Sequence, residues 1–131
     1  MEITKLHRFI LVLAGSIALA VGAGILFVPQ AFHATAGIAL GDDVRLLNEM
    51  RAPGGAILVC GLFVIAGAFR ARLAFSATML AFALYTAFGL SRLVGMAFDG
   101  LPGPALVQIT ILELAVGLAC GLFLLRYRST A

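Results

Sequence analysis

Glu113 sits inside an apolar run spanning residues 104–125, and it is the single acidic residue in any such run of this chain. A carboxylate at that place needs an arginine, a wet cavity or a proton, because ionisable groups near a bilayer centre cost about 2.5–3.5 kcal/mol on insertion scales. At about 1.5 Å rise per residue, it lies roughly 13 Å below the start of a helix that begins at Pro104. Thr110, Glu113 and Gly117 fall on one face at helical spacing, so the carboxylate can point inward beside small residues. Arg51 and Arg92 start near the same boundary, and the stem of either is long enough to reach down to it. The chemistry open to such a set is charge pairing, recognition of a polar or anionic group, or coupling to a proton.

The densest polar signal is Leu47-Asn48-Glu49-Met50-Arg51-Ala52-Pro53-Gly54-Gly55. Pro53 lacks an amide hydrogen, so it either starts a helix, where the loss is harmless, or kinks one. Either way, freed backbone groups lie beside Asn48, Glu49 and Arg51. Gly54 and Gly55 allow a helix or a ligand to come close. Ser91-Arg92 is expected to end a third helix, with Asp99-Gly100-Leu101-Pro102-Gly103-Pro104 as the turn into a fourth. The candidate cluster is therefore Asn48, Glu49, Arg51, Arg92, Asp99 and Glu113.

Three readings of it stay open: a pair that fixes helix register, a binding or transport site, and a catalytic site. No nucleophile–base set and no metal-ligand spacing accompanies the cluster, so no catalytic residue, metal or cofactor is assigned, and an enzyme is the least favoured class. His33 is a lone histidine and is expected to be interfacial, His7 to lie at the surface, and Phe82, Tyr85 and Phe88 to serve packing.

The elements that must position these residues are four apolar runs, 9–28, 53–69, 73–90 and 104–125. Each approaches the ~20 residues a helix needs to cross a ~30 Å hydrocarbon layer. Lipid cannot satisfy exposed backbone groups, so the crossings must be helical. Hydrophobic residues make up 63% of the chain and charged residues 11%, against roughly 45–50% and 25% in soluble proteins. That mixture excludes a water-soluble globule and leaves no length for a separate soluble catalytic domain. The expected fold is an all-α membrane protein of one domain, 1–131: an up-down bundle of four transmembrane helices. A short amphipathic helix is expected in the first outer connection, over 42–50, capped by Asp42 or Asp43 and carrying Leu46, Leu47 and Met50 on its apolar face.

Lys5 and Arg8 before the first run, and Ala34-Thr35-Ala36 after it, imitate a secretory signal. A signal's apolar core spans about 7–15 residues, shorter than this run, which is therefore expected to stay as a helix. Lys5, Arg8, Arg70, Arg72, Arg126 and Arg128 fall on one side and Arg45, Arg51 and Arg92 on the other. The bias places both termini in the cytoplasm of a cell whose inner membrane holds the chain. The net charge of +3 is scattered, with no basic run to grip nucleic acid. Cys60 and Cys120 differ in expected depth by roughly 13 Å at helical rise, too far for a disulfide. Gly117 and Gly121 form a GxxxG pair that serves packing inside the bundle or, alternatively, a homodimer seam.

Leu26-Phe27-Val28-Pro29, the 47–55 stretch, Gly89-Leu90-Ser91-Arg92-Leu93, Asp99-Gly100 and Glu113 together resemble a bacterial family of small four-helix integral membrane proteins catalogued as a domain of unknown function. The resemblance covers nearly the whole chain. It implies the four-helix architecture and points to the same polar residues, and it implies no activity. A looser likeness in size and helix count links the chain to DoxX-type membrane proteins, at the level of fold. The expectation for function is an inner-membrane protein that binds a small amphiphile, lipid head group or anion. Arg51 and Arg92 would contact the ligand, and Glu49 and Glu113 would set the charge balance. The alternatives are an accessory subunit of a larger membrane complex and a membrane redox or lipid-modifying enzyme. The partners implied are membrane lipid, a small amphiphilic ligand, and a second copy or a membrane-complex subunit.

Overall fold

The computed structural model describes residues 1–130, with side chains through residue 128. The described residues form five helices: α1 (Lys5–Phe27), α2 (Pro29–Ala34), α3 (Val44–Phe69), α4 (Ala71–Asp99) and α5 (Pro104–Thr130). All but α2 are long and apolar enough to cross a membrane. The chain is thus an all-helical, multi-pass membrane protein built on a four-helix bundle.

Local chemistry sets the helix ends. The Thr4 hydroxyl accepts the His7 amide at 3.1 Å and caps α1. The Asp43 carboxylate accepts the Arg45 amide at 2.9 Å and caps α3. Pro29 stops α1, because it has no N–H to continue the ladder, and the same residue opens α2. Gly100 turns left-handed at φ 91 to close α4, its amide bonding the Met96 carbonyl at 3.0 Å.

Three boundaries differ from expectation. The amphipathic stretch is not a separate helix but the first turns of α3, which runs unbroken through Pro53. At ~1.5 Å per residue α3 is about 39 Å long, more than the hydrocarbon thickness, so its polar start projects to where water can take up the carbonyl Pro53 leaves free. The only short helix in the first connection is α2. Finally, Ser91-Arg92 does not end α4, which continues to Asp99. Leu93, Val94, Met96 and Phe98 carry it on.

The bundle is two tight antiparallel pairs, α1 with α3 and α4 with α5, joined by packing of α3 on α4; α1 meets α4 and α5 only sparingly. Glycine makes the α1–α3 seam. A Cβ on Gly22 would lie 2.7 Å from the Gly54 carbonyl oxygen, and one on Gly61 would lie 2.8 Å from the Gly15 carbonyl oxygen. Without a hydrophobic drive in lipid, such backbone contact is what holds helices together. Arginines close the seam at both ends. Arg8 donates from Nε to the Ala68 carbonyl at 2.9 Å, in the last turn of α3. Arg51 donates to the Leu26 carbonyl, in the last turn of α1. Each helix thus covers a carbonyl that the other's end leaves without an amide. In the second pair Gly117 accepts Thr86 and Gly121 accepts the Phe82 ring, so the GxxxG residues face α4.

The core contains Leu11, Ala14, Val64, Ala68, Ala81, Tyr85, Val116 and Cys120. Both cysteines are free. His7 is not at the surface: it is 3% exposed. Its ring stacks on Phe123 with centroids 4.2 Å apart, and its Nε2 lies 2.9 Å from the Thr78 hydroxyl. That hydroxyl donates to the Ala74 carbonyl at 2.6 Å, so Nε2 must carry the hydrogen and donate to Thr78. The contacts tie the first turns of α1 to the last turns of α5 at the terminal end of the bundle. The opposite, distal end carries α2 and the α4–α5 turn.

Candidate functional site

Because α4 extends to Asp99, Arg92 lies about 10 Å below its distal end, and Glu113 lies about 13 Å below the start of antiparallel α5. The two side chains meet at that level. Arg92 Nε donates to Glu113 Oε1 at 3.1 Å and to Oε2 at 2.9 Å. Glu113 is 9% exposed. The Arg92 side chain keeps 32% of its surface exposed and places Cζ 6.0 Å from the centroid of the Phe88 ring. Thr110, one turn before Glu113, turns its hydroxyl back to the Leu106 carbonyl at 2.8 Å and so does not compete for the carboxylate.

This pair forms part of the wall of a cavity of about 320 Å³. It exists because α1 does not close against α4 and α5. Ile17, Val21 and Ile25 of α1 line one side; Leu84, Tyr85 and Phe88 of α4, and Leu106, Ile109 and Leu112 of α5, line the other. Phe32, His33 and Ile38, in α2 and the segment after it, cover the distal end. The lining is aliphatic and aromatic apart from Arg92, Glu113, His33, Thr35 and Tyr85. Tyr85 spends its hydroxyl on the Ala14 carbonyl at 2.5 Å and presents its ring. Ile109, 37% exposed, is one of the rim residues.

His33 carries a feature that isolated sequence reading misses. Its Nδ1 lies 2.8 Å from the Pro29 carbonyl, one turn back in α2. A carbonyl only accepts, so Nδ1 holds the hydrogen, and neutral His33 keeps Nε2 as an acceptor. The Pro29-to-His33 spacing is the signal that would reveal it, once α2 is known to be helical.

Of the six residues in the predicted cluster, the fold brings together Arg92 and Glu113. Arg51 is turned to the α1 terminus, where it covers the Leu26 carbonyl. Asn48, Glu49 and Asp99 are exposed and line no part of the cavity. Phe88 and Tyr85 serve the cavity wall as well as packing. Among the described residues no group of three or more His, Cys, Asp or Glu is arranged to hold a metal ion.

The family described as Domain of unknown function (DUF4345) matches residues 6–124. The match takes in both members of the ion pair and every residue of the cavity wall. Neither the curated proteins nor the solved structures yield a match.

Proposed function

We propose, for a chain that belongs to the DUF4345 family and inherits no assigned activity from it, that it binds a small amphiphile in the cavity between α1, α4 and α5. The single observation that carries this reading is the joining of an apolar cavity of about 320 Å³ to one partly buried ion pair. Small-molecule sites are concave and mostly apolar, with a few placed polar groups, and their volumes begin at about 300 Å³. The Arg92 terminal nitrogens find no acceptor among the described residues, since both bonds to Glu113 leave from Nε.

Depth supports the same reading. Helix α4 is about 43 Å long and overshoots a ~30 Å hydrocarbon layer by several ångströms at each end if centred. Arg92 then lies just inside the hydrocarbon edge of the distal leaflet. A head group can stay there while its chain runs toward Ile17 and Tyr85, parallel to the lipid tails. The basic residues Lys5, Arg8, Arg70, Arg72, Arg126 and Arg128 gather toward the terminal end, which orients that end to the cytoplasm of a bacterial inner membrane and the cavity outward. The Thr35 and Tyr85 hydroxyls of the wall bond backbone carbonyls and neither is paired with His33 or Glu113, so no nucleophile–base pair supports catalysis.

The test is native mass spectrometry of the chain ejected from its own membranes. Wild type is expected to retain a bound small molecule. Val21→Phe, which fills the cavity from the α1 wall, is expected to emerge bare while its helical circular dichroism stays intact. Equal retention by both sinks the proposal.

A further inference from the structure

Resting on that reading of the cavity, we infer that the ligand's head group is an uncharged hydroxyl on a single chain. Three observations converge. First, the Glu113 carboxylate already neutralises Arg92 through both of its oxygens. An anionic head group would therefore bring an uncompensated charge into a low-dielectric site, which is costly. A cationic one would meet the exposed terminal nitrogens of Arg92.

Second, the polar groups on the wall are of both kinds. Arg92 offers N–H donors from its terminal nitrogens, and His33 offers Nε2 as an acceptor because Nδ1 is committed to the Pro29 carbonyl. A hydroxyl carries both an acceptor and a donor and can pair with either group; an ether or ketone can pair with Arg92 alone. Third, the volume admits one chain. An apolar cavity of about 150 Å³ takes a benzene ring, so one of about 320 Å³ takes on the order of twelve carbons by the same scaling. The two chains of a phospholipid do not fit inside together; a medium-chain alcohol or a single-chain lipid ending in a hydroxyl fits whole.

Entry follows from the packing. The sparing contact between α1 and α5 leaves Ile109 on the rim, so the ligand comes from the leaflet and not through the bundle axis. The head group then ends under α2, whose Phe32 packs across Gly24 of α1.

The experiment uses the full chain in phosphatidylcholine nanodiscs and a ten-carbon primary alcohol carrying a diazirine in its chain, with adducts mapped by peptide mass spectrometry. Competitors are 1-decanol, its equally long methyl ether and decanoate, compared at equal membrane concentration. Labelling of α1 and α5 peptides is expected in wild type and is expected to vanish in Val21→Phe. 1-Decanol is expected to displace the label at about fivefold lower concentration than the ether, the worth of one net hydrogen bond. Decanoate is expected to compete less well than the alcohol. His33→Phe, a change on a short distal helix away from the ion pair, is expected to erase the gap between alcohol and ether while labelling persists. If wild type is not labelled, or Val21→Phe labels as well as wild type, the cavity reading itself fails. If Val21→Phe removes the label but ether or decanoate matches the alcohol, the cavity stands and the hydroxyl inference falls. A gap that survives His33→Phe overturns the inference as well.

Discussion

Arg92→Ala is expected to destabilise the bundle by about 3 kcal/mol, at the lower edge of what breaking a buried ion pair costs because the Arg92 side chain is a third exposed. The loss comes less from the missing attraction than from Glu113, left 9% exposed with no other ion-pair partner among the described residues. The measurement is unfolding of the purified chain in mixed micelles of rising denaturing-detergent fraction. The double variant Arg92→Gln with Glu113→Gln separates the two contributions. Two facing amides hydrogen-bond without leaving a charge behind, so the double variant is expected to recover most of the stability lost by Arg92→Ala. If Arg92→Ala unfolds at the wild-type midpoint, the pair is not a buried interaction and the polar corner of the cavity has no anchor.

The second large effect belongs to the glycine seam. Gly22→Ala is expected to cost about 2–3 kcal/mol, the upper range for overpacking, because the added Cβ would stand 2.7 Å from the Gly54 carbonyl oxygen. The nearby atoms are backbone of α3, so no side-chain rotation relieves the clash and the two helices must separate. Gly55 provides the control. A Cβ there meets nothing nearer than Leu26 at 3.9 Å. Gly55→Ala is therefore expected to be neutral, or to stabilise by up to about 1 kcal/mol through helix propensity. Equal destabilisation at both positions would show that α1 and α3 do not meet along Gly15, Gly22, Gly54 and Gly61. The same detergent titration reads both variants.

The two predictions mark what was and was not legible in the residues. The four crossings are legible because the bilayer demands length and apolarity, and hydropathy measures both. Pro104 as the first residue of α5 is legible from proline chemistry. The need of Glu113 for an arginine is legible from the cost of a lone intramembrane carboxylate. Which arginine answers it is not. That choice depends on where α3 and α4 end beyond the hydrocarbon, and there water tolerates polar residues, so composition no longer marks the boundary. Ser91-Arg92 interrupts the apolar run and looks like a helix end, yet two further turns follow. Those turns lower Arg92 to the depth of Glu113.

Arg51 misleads in the opposite sense. Its place beside Pro53 and two glycines suggests a polar pocket, whereas the chain uses it to cover the Leu26 carbonyl in the last turn of α1. The cavity escapes sequence reading because it follows from the open side of α1, and the absence of packing between two helices leaves no pattern in either. His33 escapes because its spacing from Pro29 tells only once α2 is known to be helical. His7 is the fourth case. Its neighbours Lys5 and Arg8 make the segment look solvated, but one turn of helix carries His7 to the inward side, against Phe123 and Thr78.

The claim on which the rest depends is that a ligand chain occupies the space between α1, α4 and α5 beneath Arg92. Its most direct test is nuclear Overhauser spectroscopy of the methyl- and tyrosine-labelled chain in nanodiscs of deuterated phosphatidylcholine, with protonated 1-decanol as the only source of acyl-chain hydrogens. Cross-peaks from chain methylenes to Ile17 and to the Tyr85 ring, which is 6% exposed and inside the bundle, are the predicted result. Cross-peaks confined to the outward residues Leu118 and Leu122, with none to Ile17 or Tyr85, would mean that the alcohol only bathes the outside of the helices, and would contradict it.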